Sequence, residues 1–171
     1  GGGIMFNYVC HTIYYMEFLF GKIYSIKVSN FNKISKNFSF IDCTFFFKSG
    51  LPARIKVMTD AKPSIKPIHK IKIETDKNIY FLKSNINNLY DQFVIAKLNK
   101  NKKNKSKFIF KNKKSRFDFR INPTYKNSLK FSSSILKNRE CKPNFYTARR
   151  IHLIIDKMIF SALKKKEMYI N

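Results

Sequence analysis

The sequence predicts an α+β domain, with a mostly antiparallel sheet backed by two helices and with basic extended segments. Apolar and polar side chains alternate at every second residue in several short segments, as they do in half-buried strands. Apolar residues recur at three- and four-residue steps in two longer segments, as they do in amphipathic helices. Of the 171 residues, 44 % are hydrophobic, which is enough for one domain with a packed core.

The first part of the chain contains one ambiguous element and two predicted strands. Met5 to Phe20 is apolar and aromatic, with a period that fits either a short helix or a strand. Lys22 to Val28 alternates, and Phe38 to Phe47 is aromatic and β-branched, so we expect a strand in each. Ser29 to Asn37 has the composition of a loop, and Ser49 to Pro52 ends the second strand with turn residues.

The middle of the chain predicts a boundary, a hairpin and a helix. Two prolines exclude a central strand or a helix interior between Asp60 and Pro67, so this stretch is the best internal boundary. Ile68 to Leu82 contains two strand-like runs around a turn and predicts a hairpin. Ser84 to Leu98 begins with a capping residue and has helical apolar spacing, so we expect a helix there.

The last part predicts short strands and the clearest helix. Phe108 to Phe110 fits a short strand or an insertion of aromatic residues among phosphates. Arg116 to Ile121 alternates strictly and fits an edge strand with a basic outer face. Lys126 to Asn138 is serine-rich and weakly patterned. Thr147 is the expected cap of a helix that runs to about Lys166.

The charge of the chain predicts a polyanionic partner. The formal net charge is +25, and Lys97 to Arg116 contains ten basic residues and no acidic residue. Such a segment repels itself and needs an anion to lie against, and nucleic acid is the commonest candidate because counterions are released on binding. We therefore divide the chain into an apolar and aromatic N-terminal segment, 1–21, and a single α+β RNA-binding domain, 22–171, with a basic insertion at 97–116.

The residues expected on RNA phosphates are mostly lysines, which suit backbone contact better than base reading. Two arginines lie in the first turn of the last predicted helix, where a nearby phosphate would relieve the unfavourable interaction with the helix dipole. The full set is Lys97, Lys100, Lys102, Lys103, Lys105, Lys107, Lys111, Lys113, Lys114, Arg116, Arg120, Arg149 and Arg150.

Possible catalytic or metal-binding groups are sparse. His152 and Asp156 lie one helical turn apart, a spacing that is more often a surface pair than a site. The adjacent Cys10 and His11 have poor geometry for a shared metal, and the three cysteines show no zinc spacing. Isolated glycines exclude a Walker loop. We therefore expect no enzymatic activity, no cofactor, no metal and no small-molecule substrate.

Small, lysine-heavy, aromatic-rich chains without a catalytic set are similar in composition to ribosomal proteins. We expect a structural rRNA-binding component of a ribosome, with rRNA and neighbouring ribosomal proteins as partners. The excess of Lys, Asn, Ile, Phe and Tyr is typical of an AT-rich genome, so a mitochondrial location is expected, with plastid or cytoplasm as alternatives. Alternative functions are a stand-alone DNA- or RNA-binding factor, a peripheral protein of anionic membranes and a nucleic-acid enzyme. No apolar run is long enough to predict a transmembrane helix, and no basic residue precedes the N-terminal apolar run, as a signal peptide would require.

Overall fold

The computed structural model describes residues 3, 5–34, 37–58, 70–85, 88–100, 107–111 and 121–170. Its contacts divide the chain into two compact units, Gly1–Ala61 with Glu140–Asn171 and Lys62–Arg139. Each unit contains a four-stranded antiparallel sheet, so the predicted α+β class is confirmed, although with two sheets instead of one. The predicted division into 1–21 and 22–171 stays a prediction.

The first unit begins with a π-helical turn, Met5–Val9, and continues directly into helix α1, Cys10–Phe20. Its strands are β1 Ile23–Ile34, β2 Asn37–Phe47 and β3 Pro52–Met58, followed near the end of the chain by helix α3 Phe145–Lys164 and the short strand β8 Met168–Tyr169. The sheet has the order β3-β2-β1-β8. The predicted loop between the first two strands is shorter than expected, because β1 continues to Ile34.

The core of the first unit lies between one face of this sheet and the helices. Alternate residues of β2 are fully buried, as the two-residue period requires, and Ile151, Ile154 and Ile155 of α3 belong to the same buried cluster. The helix begins after Asn144, whose side chain accepts a hydrogen bond from Thr147 N. The predicted helix is therefore confirmed, but its cap is Asn144 and not Thr147, because an asparagine oxygen satisfies the free amide equally well.

The second unit contains strands β4 Lys70–Glu74, β5 Asn78–Asn85, β6 Asn88–Asn99 and β7 Lys107–Lys111, paired in chain order, and helix α2 Ile121–Leu136. The predicted hairpin and the strand at Phe108 to Phe110 are present. The predicted boundary at Asp60 to Pro67 lies outside the described residues.

Two predictions in the second unit are wrong. Ser84 to Leu98 is not a helix in its described residues: β5 ends at Asn85 and β6 begins at Asn88. The aromatic and β-branched residues of this stretch favour a strand once a partner strand is available. Ile121 was expected in an edge strand, but it is the first residue of α2. The same helix includes most of the weakly patterned stretch that begins at Lys126. Helical spacing is present there, but serines lower the apparent helix propensity.

Candidate functional site

One face of the first sheet is buried and the other is open. Phe45 of β2 and Ile55 of β3 point into the core. Their neighbours in sequence therefore lie on the opposite face of the sheet; these are Thr44, Arg54 and Lys56. Arg54 and Lys56 are exposed. The open face therefore carries cationic side chains whose positions are fixed by the register of two paired strands.

Asp42 is a buried charged group on this open face. Its carboxylate accepts hydrogen bonds from Arg54 Nε at 2.7 Å and Nη2 at 2.6 Å, and Lys56 Nζ lies 3.5 Å away. The hydrogen bond from Arg54 holds the pKa of Asp42 below its ordinary value, although burial opposes the shift. An ionised and fully paired carboxylate joins β2 to β3, and it is poorly suited to act as a general acid or base.

A shallow apolar groove lies at the start of α3. It has a volume of about 500 Å³ and is lined by Phe145, Tyr146, Ala148, Arg149 and His152. Four of these residues follow the i, i+3, i+4, i+7 spacing, which places them along one face of the helix. Both aromatic rings are largely exposed, at 93 % and 79 %. The groove is thus an open and almost entirely apolar surface, whose lining also includes Arg149 and His152.

Arg149 and His152 are the polar side chains of the groove, and both are exposed. The His152 ring lies with its centroid 5.3 Å from that of Phe6, which fixes one side of the imidazole against the N-terminal segment. A guanidinium donates hydrogen bonds to hydroxyl or carbonyl oxygens, and an imidazole can both donate and accept. The two side chains can therefore form hydrogen bonds with a molecule that lies against the aromatic side chains.

The two arginines expected on phosphates have different environments. Arg149 faces the groove, whereas Arg150 donates to Glu17 Oε1 at 2.8 Å and to Ile23 O at 3.0 Å. Glu17 also accepts a hydrogen bond from Ile23 N at 2.9 Å. Arg150 therefore joins α1, α3 and the start of β1, and its guanidinium is held by the fold.

The predicted basic residues of the second unit are only partly described. Lys97 Nζ lies 5.7 Å from the centroid of the Tyr80 ring, and Lys100 Nζ lies 2.9 Å from Glu74 Oε1. Lys107 and Lys111 belong to β7, in which Lys107 is paired with Lys97. The rest lie outside the described residues: Lys102, Lys103, Lys105, Lys113, Lys114, Arg116 and Arg120. The assignment of this set to phosphate contacts stays a prediction.

The groove is not predicted by the sequence pattern. His152 is considered there only with Asp156, and the aromatic pair before Arg149 has no predicted role. The signal is nevertheless present in the sequence, because two aromatic residues directly after a helix cap cannot both face the core. Within the described part of the chain, no cluster of three metal-binding side chains occurs, and no helix is long and apolar enough to cross a membrane.

Solved structures with a similar fold are oxidoreductases. Levoglucosan dehydrogenase in complex with NADH matches with a TM-score of 0.77 at 13 % identity, over 100 % of this chain and 51 % of that one. Its complex with NADH and L-sorbose gives 0.77 at 12 % identity, with the same coverage. An NAD-binding oxidoreductase from Klebsiella pneumoniae gives 0.69 at 13 % identity, over 95 % and 49 %. No protein-family model and no curated protein matches the sequence.

These comparisons establish a shared fold, and they correct the predicted function. The prediction of a structural rRNA-binding ribosomal protein is wrong, because the solved structures described above, which have a similar fold, are oxidoreductases that bind NAD or NADH. The alternative nucleic-acid-binding and membrane functions are not supported either. The predictions of no enzymatic activity, of rRNA as partner and of no small-molecule substrate are wrong for the same reason, since the neighbours bind NADH and sugars.

The chain spans about half the length of these oxidoreductases, and its residues do not fit a dinucleotide. A dinucleotide site needs a glycine-rich turn between a strand and the start of a helix. Beyond the first three residues, the sequence has only Gly21 and Gly50. Both have positive φ angles and form turns that lead into strands β1 and β3, so neither opens a helix. We therefore derive no chemical step from a bound nicotinamide cofactor.

Proposed function

We propose that this chain forms the part of a nicotinamide-dependent oxidoreductase that does not bind the dinucleotide and that contacts a small polyhydroxylated substrate. The observation that carries the proposal is the similarity of fold over the whole chain to levoglucosan dehydrogenase, at a TM-score of 0.77. Beyond Gly1 to Gly3, the sequence has no glycine-rich stretch, which supports the assignment to the part without the cofactor.

The groove at the start of α3 is the proposed substrate-contacting surface. Phe145 and Tyr146 offer flat apolar faces to the carbon-bound hydrogens of a sugar ring, and Arg149 and His152 offer hydrogen bonds to its hydroxyl groups. Because the groove is shallow and open, a sugar bound there would remain partly in contact with solvent. Catalysis requires the cofactor and therefore groups from outside this chain, so we assign no catalytic residue.

Ligand binding to the purified full chain tests the proposal directly. We expect levoglucosan and L-sorbose to bind weakly, with Kd in the range of about 1 mM, in saturation-transfer NMR and calorimetry. NADH, followed by its fluorescence, should not bind. Replacing Arg149 with Ala should weaken sugar binding about tenfold, because a charged hydrogen bond contributes about 1.5–3 kcal/mol. Lys164→Ala, an exposed cation at the far end of the same helix, is the matched control and should leave binding unchanged.

The native protein, purified from its source with its associated partners, tests the enzymatic part. It should reduce NAD⁺ or NADP⁺ in the presence of a sugar or polyol, measured by absorbance of the reduced nicotinamide. Binding of NADH by the isolated chain would show that the chain has been assigned to the wrong part of the enzyme. A native preparation without dehydrogenase activity, together with an isolated chain that binds no sugar, would reject the proposal.

A further inference from the structure

Helix α2 has one apolar face, and this face is exposed. Its large apolar side chains fall within less than half of the helix circumference at 100° per residue. Each of them is between 52 % and 86 % exposed, whereas a helix in a folded unit normally buries such a stripe. The residues are Ile121, Tyr125, Leu129, Phe131, Ile135 and Leu136.

The opposite face of α2 is basic. Lys126 and Lys130 lie on the side away from the apolar stripe, and Lys137 follows the last residue of the helix. Residues 121 to 139 contain no acidic residue. The helix is therefore basic and amphipathic, the pattern typical of helices that bind in an acidic, apolar groove of another protein.

Local hydrogen bonds at the C-terminal end of α2 and from its serine side chains stabilise the helix, but they do not bury its apolar stripe. Asn138 adopts a left-handed conformation with φ 47°, and Asn138 N donates to Ile135 O, which closes the C-terminal end. Ser128 and Ser134 donate to main-chain carbonyls one turn earlier. These are weak local contacts, and a 16-residue helix with an exposed apolar stripe is marginal in water. A partner that covers the stripe would supply the missing stabilisation.

We propose that α2 is a docking helix for a partner protein that presents an apolar groove edged by carboxylates. Charge complementarity selects this occupant, because the lysines on the far side of α2 would meet the acidic edge while the stripe fills the groove. A second copy of this chain fits less well, since residues 121 to 139 of its α2 segment offer no carboxylate to these lysines. This role is independent of the proposed oxidoreductase function.

Calcium-loaded calmodulin is a suitable probe, because it has an apolar, methionine-rich groove and an acidic rim. We expect the full chain, followed by fluorescence anisotropy, to bind the probe with calcium and not without it. The double variant Tyr125→Gln/Leu129→Gln should bind at least about tenfold more weakly, because two exposed apolar groups lose their burial. Both residues are exposed, so circular dichroism should show an unchanged fold.

The control variants distinguish the contribution of the apolar stripe to binding from the contribution of the positive charge. Asn127→Gln, exposed and outside the stripe, should bind as the wild type does. Lys126→Glu/Lys130→Glu should also weaken binding about tenfold, since the acidic rim would then meet carboxylates. Equal binding by the wild type and the Tyr125→Gln/Leu129→Gln variant would overturn the proposal. Stripe-dependent self-association, or stripe-dependent binding to phosphatidylserine vesicles without binding to the probe, would overturn it as well.

Discussion

Ser161 is a buried hydroxyl in α3 that connects three parts of the first unit. Its Oγ accepts a hydrogen bond from Val28 N of β1 at 2.9 Å and donates to Lys166 O at 2.7 Å, just after the helix ends. Among the described residues, strand β8 pairs with β1 only at Ser25 and Ile26, so Val28 lies beyond the end of β8. Ser161 thus supplies the acceptor that a longer β8 would have supplied.

Replacing Ser161 with Ala should destabilise the first unit by about 2–4 kcal/mol. The Val28 amide would be left without an acceptor in a region where Ser161 itself is fully buried, and an unsatisfied buried donor costs about 1–3 kcal/mol. The Lys166 carbonyl would lose its donor as well. For a unit of this size, each kcal/mol lowers Tm by about 4–8 °C, so we expect a decrease of about 10 °C or more.

Urea unfolding and thermal unfolding, both followed by circular dichroism, measure this effect. Hydrogen exchange gives a second measurement, because Ile170 N donates to Tyr24 O and should exchange faster once β8 is less firmly attached. Ser128→Ala is the matched control: its exposed hydroxyl donates to Thr124 O within α2, so the change should stay within about 0.5 kcal/mol. If Ser161→Ala were as stable as this control, the hydroxyl would not be what holds β1 to the end of α3.

Two ion pairs give further predictions. Glu17→Gln should cost about 2 kcal/mol in urea unfolding, because it weakens the half-buried contact with Arg150; a loss below about 0.5 kcal/mol would contradict this. Asp42 has a lowered pKa because of Arg54, so its contribution to stability is present above its ordinary pKa and is lost as the pH falls through the lowered value. Asp42→Asn should therefore reduce the loss of stability that the wild type shows as the pH falls below the ordinary pKa of an aspartate, and an unchanged pH profile would contradict that reasoning.

The strands of the first unit were predictable because their sequence and their packing agree. The alternating aromatic and β-branched residues of β2 favour a strand locally, and the same alternation places one set in the core. The helix α3 was predictable for the corresponding reason, since its apolar stripe has helical period. Local preference and burial point to the same structure in both elements.

At Ser84 to Leu98, the local sequence pattern and the observed structure disagree. Apolar residues at three- and four-residue steps also occur by chance in a strand that is apolar on both faces, so the period alone does not decide the structure. The deciding contact is the pairing of β6 with β5, in which Leu82 lies opposite Ile95. A pairing of this kind depends on residues that are distant in sequence, which a local pattern does not contain.

The sequence drew attention to single residues of the candidate site, but it did not predict that they lie together. Arg149 stands out in the sequence for its position at the start of a helix, and His152 for its spacing to Asp156. Their position beside the exposed ring of Phe145 follows only once the helix start is fixed by Asn144. Similarly, the ion pair between Asp42 and its arginine partner on β3 depends on strand register, which the composition of the two strands does not determine.

The high positive charge misled the functional prediction because charge is a property of the surface, whereas the fold is determined by the core. Lys27 and Lys56 are exposed, while their neighbours Ile26 and Ile55 are buried, so these lysines could vary without changing the sheet. A net charge of +25 affects solubility and nonspecific association, and it does not specify a reaction. The fold formed by the buried residues is similar to that of levoglucosan dehydrogenase, although the sequence identity is only 12–13 %.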